Sequence, residues 1–325
     1  MSVAPAPRVL HPLGLAGIST ADLLAEPDEP VPFHAPDLIP AEGLVVVAAA
    51  PKVGKTILMS QLALVTGSED GPPRPLSLGR AVEPGRVLYV LEEGSRASLR
   101  FRVRRQMEGL SIGRSSVTWA LQAHVRLDNE RSVKDLRAMI EDIAPALIVL
   151  DPLNRIHGLD ENRPSEMARV MGQAVGIVQE AHCAVVVLHH LTKPNAEHRG
   201  RLVDRIRGAG SIVGATDANL VMEPQGGGRV RLEGEFRDAE PITWHLELDP
   251  ERLLFSRVES ERAGGKVPES DLLAFVDERT SVTARDVMDR FGCSKVTALS
   301  ALDGSSALDR TTGTRGQLHY FRTVQ

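Results

Sequence analysis

The stretch Ala49-Ala50-Pro51-Lys52-Val53-Gly54-Lys55-Thr56 sets an amine and a hydroxyl directly behind a tight glycine turn. In such a loop, successive backbone N–H groups and the start of the following helix converge on one point, which suits an anion. Lys55 is spaced to reach the β- and γ-phosphates of a nucleotide, and the Thr56 hydroxyl to hold Mg²⁺. The expected nucleotide contacts are Ala50, Pro51, Lys52, Val53, Gly54, Lys55, Thr56 and Ile57. One position departs from the usual pattern: Ala49 stands where the loop normally opens on glycine, and a methyl group there restricts positive φ.

Three further apolar runs end in groups that could complete a phosphate-hydrolysing site. Val87 to Leu91 ends on Glu92-Glu93, Ala146 to Leu150 ends on Asp151, and Ala184 to Leu188 ends on His189-His190. Asp151 is a candidate Mg²⁺ ligand. One of the two glutamates can orient or deprotonate water, but not both, because adjacent strand residues face opposite ways. Either imidazole can hydrogen-bond a γ-phosphate. The histidine pair lacks a third ligand at metal-binding spacing.

These residues need strands to carry them and helices to cover the strands. Leu44 to Ala48 is an unbroken apolar run leading into the loop, and Ile57 to Leu64 continues as a helix. Further helices are expected over 96–108, over 133–143 with Ser132 as its cap, and over 164–181 with Pro164 at its start. The first of these carries Arg96, Arg100, Arg102, Arg104 and Arg105, either as a solvated face or as a phosphate-binding one. Alternating strands and helices specify an α/β fold with a mostly parallel sheet. Residues 229–232, 242–248 and 253–258 alternate in period two and read as antiparallel edge strands.

The resulting plan has a flexible lead-in over 1–30, an α/β domain over 31–258, a linker over 259–267 and a small domain over 268–325. That last part shows helical patterns over 269–278, 284–291 and 295–308, then a hairpin. This is the order of a winged helix-turn-helix.

The motifs taken together resemble the RecA-like ATPases, and within them the RepA-type hexameric plasmid helicases. The resemblance covers residues 31 to 240. Its more specific parts are Val187-Leu188-His189-His190-Leu191-Thr192-Lys193 and Arg207-Gly208-Ala209-Gly210-Ser211-Ile212. It implies ATP and Mg²⁺ as ligands, Glu93 as catalytic carboxylate with Glu92 as the alternative, and His190 as the strand-end sensor. It also implies that Arg207 and Arg237 stabilise charge at a neighbouring subunit's site, so that the working form is a homo-oligomer, a hexameric ring. Residues 193–207 are the expected single-stranded DNA loop, and the C-terminal domain is expected to bind DNA or a replication-initiation partner.

Composition limits these readings. Aromatic residues make up 3% of the 325 and the formal charge is −5, so nucleic acid could be met only by a local basic patch. From Lys266 onward eight Lys or Arg balance eight Asp or Glu. Cys183 and Cys293 lie far apart and read as reduced thiols. No apolar run nears the roughly 18–20 residues that span a bilayer, and the N-terminus lacks a signal-peptide pattern. A soluble intracellular protein with no membrane contact is expected.

Overall fold

In this computed structural model, the described residues are 9–10, 16–26, 32–70, 82–192, 202–258, 267–279, 281–291, 293, 295–312 and 318–323. The chain divides into two units, residues 1–32 and 33–325. Within the first, Thr20–Ala25 is a short helix whose cap, Ser19, accepts from the backbone N–H of Asp22.

The second unit is built on a nine-stranded sheet. Its strands are β1 (Gly43–Ala49), β2 (Val87–Leu91), β3 (Val117–Leu121), β4 (Leu147–Asp151), β5 (Ala184–His190), β6 (Ala218–Gly226), β7 (Arg229–Phe236), β8 (Ile242–Asp249) and β9 (Leu254–Val258). Their spatial order is β9-β8-β7-β6-β1-β5-β4-β2-β3. The six strands from β6 to β3 run parallel, and β7, β8 and β9 continue the sheet antiparallel. The fold is therefore the expected mostly parallel α/β sheet with antiparallel strands at one edge.

The unbroken apolar strands are explained by cover on both faces. Val45, Val47 and Ala49 of β1 join a core with Leu58, Met59 and Leu62 of α1 (Lys55–Thr66) and Leu99 of α2 (Arg96–Leu110). The alternate residues Leu44, Val46 and Ala48 join a second core with α3 (Glu130–Ile143) and α4 (Pro164–Ala181). A strand residue's parity thus decides which helices it meets.

Asn129, rather than Ser132, caps α3: its side chain accepts from Ser132 N, so the helix begins three residues earlier than expected. The Ser132 hydroxyl instead accepts from Arg126 N at 2.7 Å. Pro164 is the first residue of α4, as anticipated, and Ile177 joins Met167, Val170, Met171 and Ala174 on its buried face.

A short helix, α5 (Ala209–Val213), precedes β6, and three helices follow the sheet: α6 (Glu269–Asp277), α7 (Ala284–Phe291) and α8 (Lys295–Gly304). Strands β10 (Leu308–Thr312) and β11 (Leu318–Arg322) then pair antiparallel. The last helix stops at Gly304, and Leu308 opens a strand instead of closing a helix. Beyond the glycine, the buried Ser305 turns its hydroxyl to Glu269 Oε1 at 2.7 Å. These elements share their own core, with Leu272, Val282, Leu302 and Tyr320 at its centre. The expected linker, apart from Val267, lies outside the described residues.

Candidate active site

The phosphate loop leaves the carboxyl end of β1, where ligands of parallel sheets collect. Ala49 is the last residue of that strand, fully buried, and is paired with His190 of β5 and Met222 of β6. The left-handed residues of the turn are Lys52 (φ 66°) and Gly54 (φ 109°), and Ala49 is not among them. The restriction expected from its methyl group therefore does not arise.

Gly54 is needed twice over, since a Cβ there would also lie 2.8 Å from the Phe255 ring. No side chain caps α1 at Gly54. The first N–H groups of an uncapped helix are directed at an incoming anion. Lys55 is buried among these groups, and its Nζ donates to Ala49 O at 2.9 Å. Burial lowers its pKa, while the charges of Asp151 and Glu93 act to raise it.

Asp151 closes β4 at 4% exposure, and the register pairs it with Leu91 of β2. Two hydroxyls serve it: Thr56 donates to the carboxylate, and Tyr89 Oη donates to Oδ2 at 2.9 Å. Burial raises the Asp151 pKa, and these two hydrogen bonds with the charges of Arg102 and Lys55 oppose the rise. A buried carboxylate beside a threonine hydroxyl offers the hard oxygen donors that Mg²⁺ prefers. That ion also needs few protein ligands, because it retains water and takes phosphate oxygens. Thr56 and Asp151 therefore fit the ion expected of them.

The two glutamates after β2 separate cleanly. Glu92 accepts from the backbone of His124 (3.1 Å) and Val125 (2.9 Å), which fixes the turn after β3. Glu93 turns towards Lys55 and is ion-paired with Arg155, Nε to Oε1, at 3.0 Å.

The histidines separate by the same parity. His190 senses the charges of Lys55 and Glu93 and faces the phosphate loop. His189 belongs to the opposite face, fully buried, with Nε2 2.9 Å from Arg207 O. A carbonyl only accepts, so Nε2 carries the proton and the buried Nδ1 is left with a bare lone pair and no partner among the described residues. Burial lowers the His189 pKa to about 4.

Arg207 lies beside this site. Its backbone N–H donates to His190 O, and its Nε meets Glu161 Oε2 at 2.9 Å. Arg237 does not join the group. It pairs with Asp217 at 2.9 Å, and Asp217 in turn accepts from Leu44 N at 2.8 Å, at the amino end of β1. The seven residues of β1 separate that end from the phosphate loop, roughly 20 Å of strand.

Lys55, Thr56, Glu93, Asp151, His190 and Arg207 thus come together, and Arg237 stands apart within its own chain. Tyr89 at the site went unassigned in the sequence, and Arg102, read only as one of the arginines of a solvated or phosphate-binding helix face, contributes its charge at Asp151. Tyr89 lies two residues before Leu91, on the strand face that Asp151 shares, a relation only the β2–β4 register supplies. Of the expected DNA loop, residues 193–201 lie outside the described residues. Arg205 within it is largely buried in an ion pair with Glu223 at 2.9 Å. Among the described residues no helix is long and apolar enough to cross a membrane.

A phosphate loop on a central strand, a buried carboxylate–threonine pair beside it and a mostly parallel sheet define a P-loop ATPase of RecA-like fold. The sequence model of the AAA domain family matches residues 10–196, more than half of the chain, and the protein belongs to that family. Among solved structures, the RadB recombinase is similar in fold, with a TM-score of 0.50 and 16% identity, over 68% of this chain and 93% of its own.

Proposed function

We propose that the protein is a Mg²⁺-dependent ATPase motor acting on DNA, a replicative helicase of a plasmid, phage or integrated element that works as a homo-oligomeric, hexameric ring. The observation that carries the reading is the convergence of Lys55, Thr56–Asp151, Glu93 and His190 on the carboxyl ends of four neighbouring parallel strands. The resemblance to RepA-type helicases supplies the finer assignment.

In this mechanism the loop amides and Lys55 hold the phosphates, and Thr56 and Asp151 hold Mg²⁺, which supplies charge neutralisation at the phosphate oxygens. Glu93 accepts a proton from the attacking water. The water oxygen bonds to the γ-phosphorus as the bond to the ADP oxygen breaks, leaving ADP and inorganic phosphate. His190 donates to the γ-phosphate and reports its loss along β5. Arg207, and Arg237 from the far end of the sheet, act on the site of the adjoining subunit. The C-terminal helices and two-stranded sheet are read as a winged helix that docks DNA or a replication-initiation partner.

A second reading has its own observation. Glu93 is held by Arg155 and Arg207 by Glu161, so both reactive charges are engaged inside the chain. This favours an ATP-dependent DNA-binding regulator, in which assembly releases them and no unwinding occurs.

Phosphate release measured with and without single-stranded DNA, beside strand displacement, separates the two. Stimulation with displacement supports the helicase, and binding without displacement supports the regulator. Lys55→Ala abolishes hydrolysis under either reading, and retained turnover removes both. Mixing Lys55→Ala with Arg207→Ala subunits restores part of the activity if the site is shared; no recovery at any ratio removes the trans role of Arg207.

A further inference from the structure

The outer face of α2 carries a row of cations. Arg96, Arg100 and Arg104 recur every four residues, so they follow one another along one side of the helix with a rise of about 6 Å between them. All three are exposed, and among the described residues none has an ion-pair or hydrogen-bond partner. By contrast Arg114, Arg126, Arg137, Arg163, Arg229 and Arg231 each meet a carboxylate. Three unneutralised cations in a row are a cost to the fold, and the cost points to a polyanion.

The same face carries an aromatic ring. Phe101 is 54% exposed, one of few large apolar side chains so placed, and the Arg105 guanidinium lies over it at 4.5 Å. Arg105 is in turn held by the carbonyl of Glu251, so the ring is braced rather than loose. Between α2 and the turn joining β8 to β9 runs a groove of about 710 Å³, lined by Phe101, Arg100, Arg104, Arg105 and, from the opposite wall, Arg252. The carboxylates in its lining are Glu108 and Glu251.

We propose that single-stranded nucleic acid lies along α2, its phosphates against Arg96, Arg100 and Arg104 and one base stacked on Phe101. The helical repeat of about 6 Å is close to the phosphate spacing of an extended strand, and only an unpaired base can present its face to the ring. In a chain of net charge −5, such a stripe draws a polyanion to one place instead of coating the surface. The helix that lines the groove starts three residues after Glu93 in the chain. The proposal rests on the reading of the chain as a motor acting on DNA.

The test is fluorescence anisotropy of a labelled oligothymidylate against the full chain, over a series of salt concentrations, with Mg-ATP hydrolysis followed in parallel. Arg100→Ala/Arg104→Ala should weaken binding about tenfold and flatten the log–log salt slope by about 1.4, two phosphate contacts' worth. Phe101→Ala should weaken it by about tenfold with the slope unchanged. Arg100→Lys/Arg104→Lys should keep the wild-type slope. These are surface positions, and an unchanged thermal midpoint shows that each variant is folded.

Wild-type affinity and slope in Arg100→Ala/Arg104→Ala overturn the groove and leave the DNA motor standing. A wild-type chain that hydrolyses ATP but binds no oligonucleotide overturns the DNA clause of the function as well. Equal affinity for duplex overturns the stacked single strand. If the alanine pair instead breaks up oligomers in sedimentation and binds DNA normally, the face is a contact between copies of this chain and the proposal fails.

Discussion

Acid should destabilise this protein through its buried histidines. His34 and His189 are 3% and 0% exposed, and burial lowers both to about 4 from an ordinary 6.5. A lowered pKa means the native state resists a proton that the unfolded chain accepts. The stability these groups contribute is whole above pH 6.5 and is lost as pH falls towards 4. At pH 5 the unfolded histidine is almost fully charged and the native one almost neutral, a loss of about 2 kcal/mol for each and about 4 kcal/mol for the pair. His157 and His190 are lowered as well and add in the same direction. The Arg126 guanidinium holds Asp128 at about 2, so its contribution fades only in stronger acid, while burial raises Asp151, whose native state favours the proton and so acts against the histidines.

The assay is urea unfolding at several pH values between 7.5 and 5, comparing wild type with His34→Gln. Glutamine can keep a hydrogen bond to the Thr66 hydroxyl, which His34 Nε2 meets at 3.0 Å, and it cannot titrate. The variant should lose about 2 kcal/mol less than wild type between pH 7.5 and 5. Identical pH slopes for the two proteins would refute the assignment of this acid sensitivity to His34.

Two other predictions concern the phosphate loop and the paired glutamates. Ala49→Gly, which restores the usual opening glycine, should destabilise the fold by about 1 kcal/mol, because it loosens a buried strand residue and relieves no strain. Lys52→Gly should stabilise it by about 1 kcal/mol, because Lys52 occupies the left-handed conformation; chemical denaturation reads both signs. Glu93→Gln should stop phosphate release while a fluorescent ATP analogue still binds. Glu92→Gln should cost about 1 kcal/mol of stability by weakening the turn at His124–Val125 and leave turnover measurable. The opposite pattern in the two glutamine variants would exchange their roles.

The strand ends were legible because each combines an unbroken apolar run, which demands cover on both faces, with a charged group that must then emerge at the sheet margin. Asp151 and the pairs Glu92–Glu93 and His189–His190 are singled out in that way, Lys55 comes from the loop motif, and the choice of Glu93 and His190 within their pairs comes from the family resemblance. What stayed hidden depends on partners remote in sequence. Glu92 and Glu93 differ through a backbone turn some thirty residues away at His124–Val125. Tyr89 reaches Asp151 through the register of two strands. Arg237 follows a strand that runs back to the amino end of β1, and sequence distance carries no direction of travel. Ser132 reads as the cap in the sequence, and only the hydrogen bond from its N–H to Asn129 shows that Asn129 caps and Ser132 is capped. The alanine of the loop looked anomalous because a motif names a position without its dihedral angles.

Gln106 is wholly buried on the inner side of α2, where its amide donates to Ile57 O (2.9 Å) and Leu253 O (2.8 Å) and accepts from Ser60 Oγ (2.8 Å). Gln61 ties α1 to the edge strand in the same manner, through both backbone groups of Phe255. Sliding α1 past α2 would break two of these bonds, those of Gln106 with Ile57 and Ser60, in a dry interior, at about 1–3 kcal/mol for each polar group left unpaired. The two helices therefore travel as one lever. Its short arm is the first turn after the phosphate loop and its long arm is the arginine stripe. Any displacement that a phosphate imposes on Lys55 and Thr56 is delivered to that outer face without a joint to absorb it.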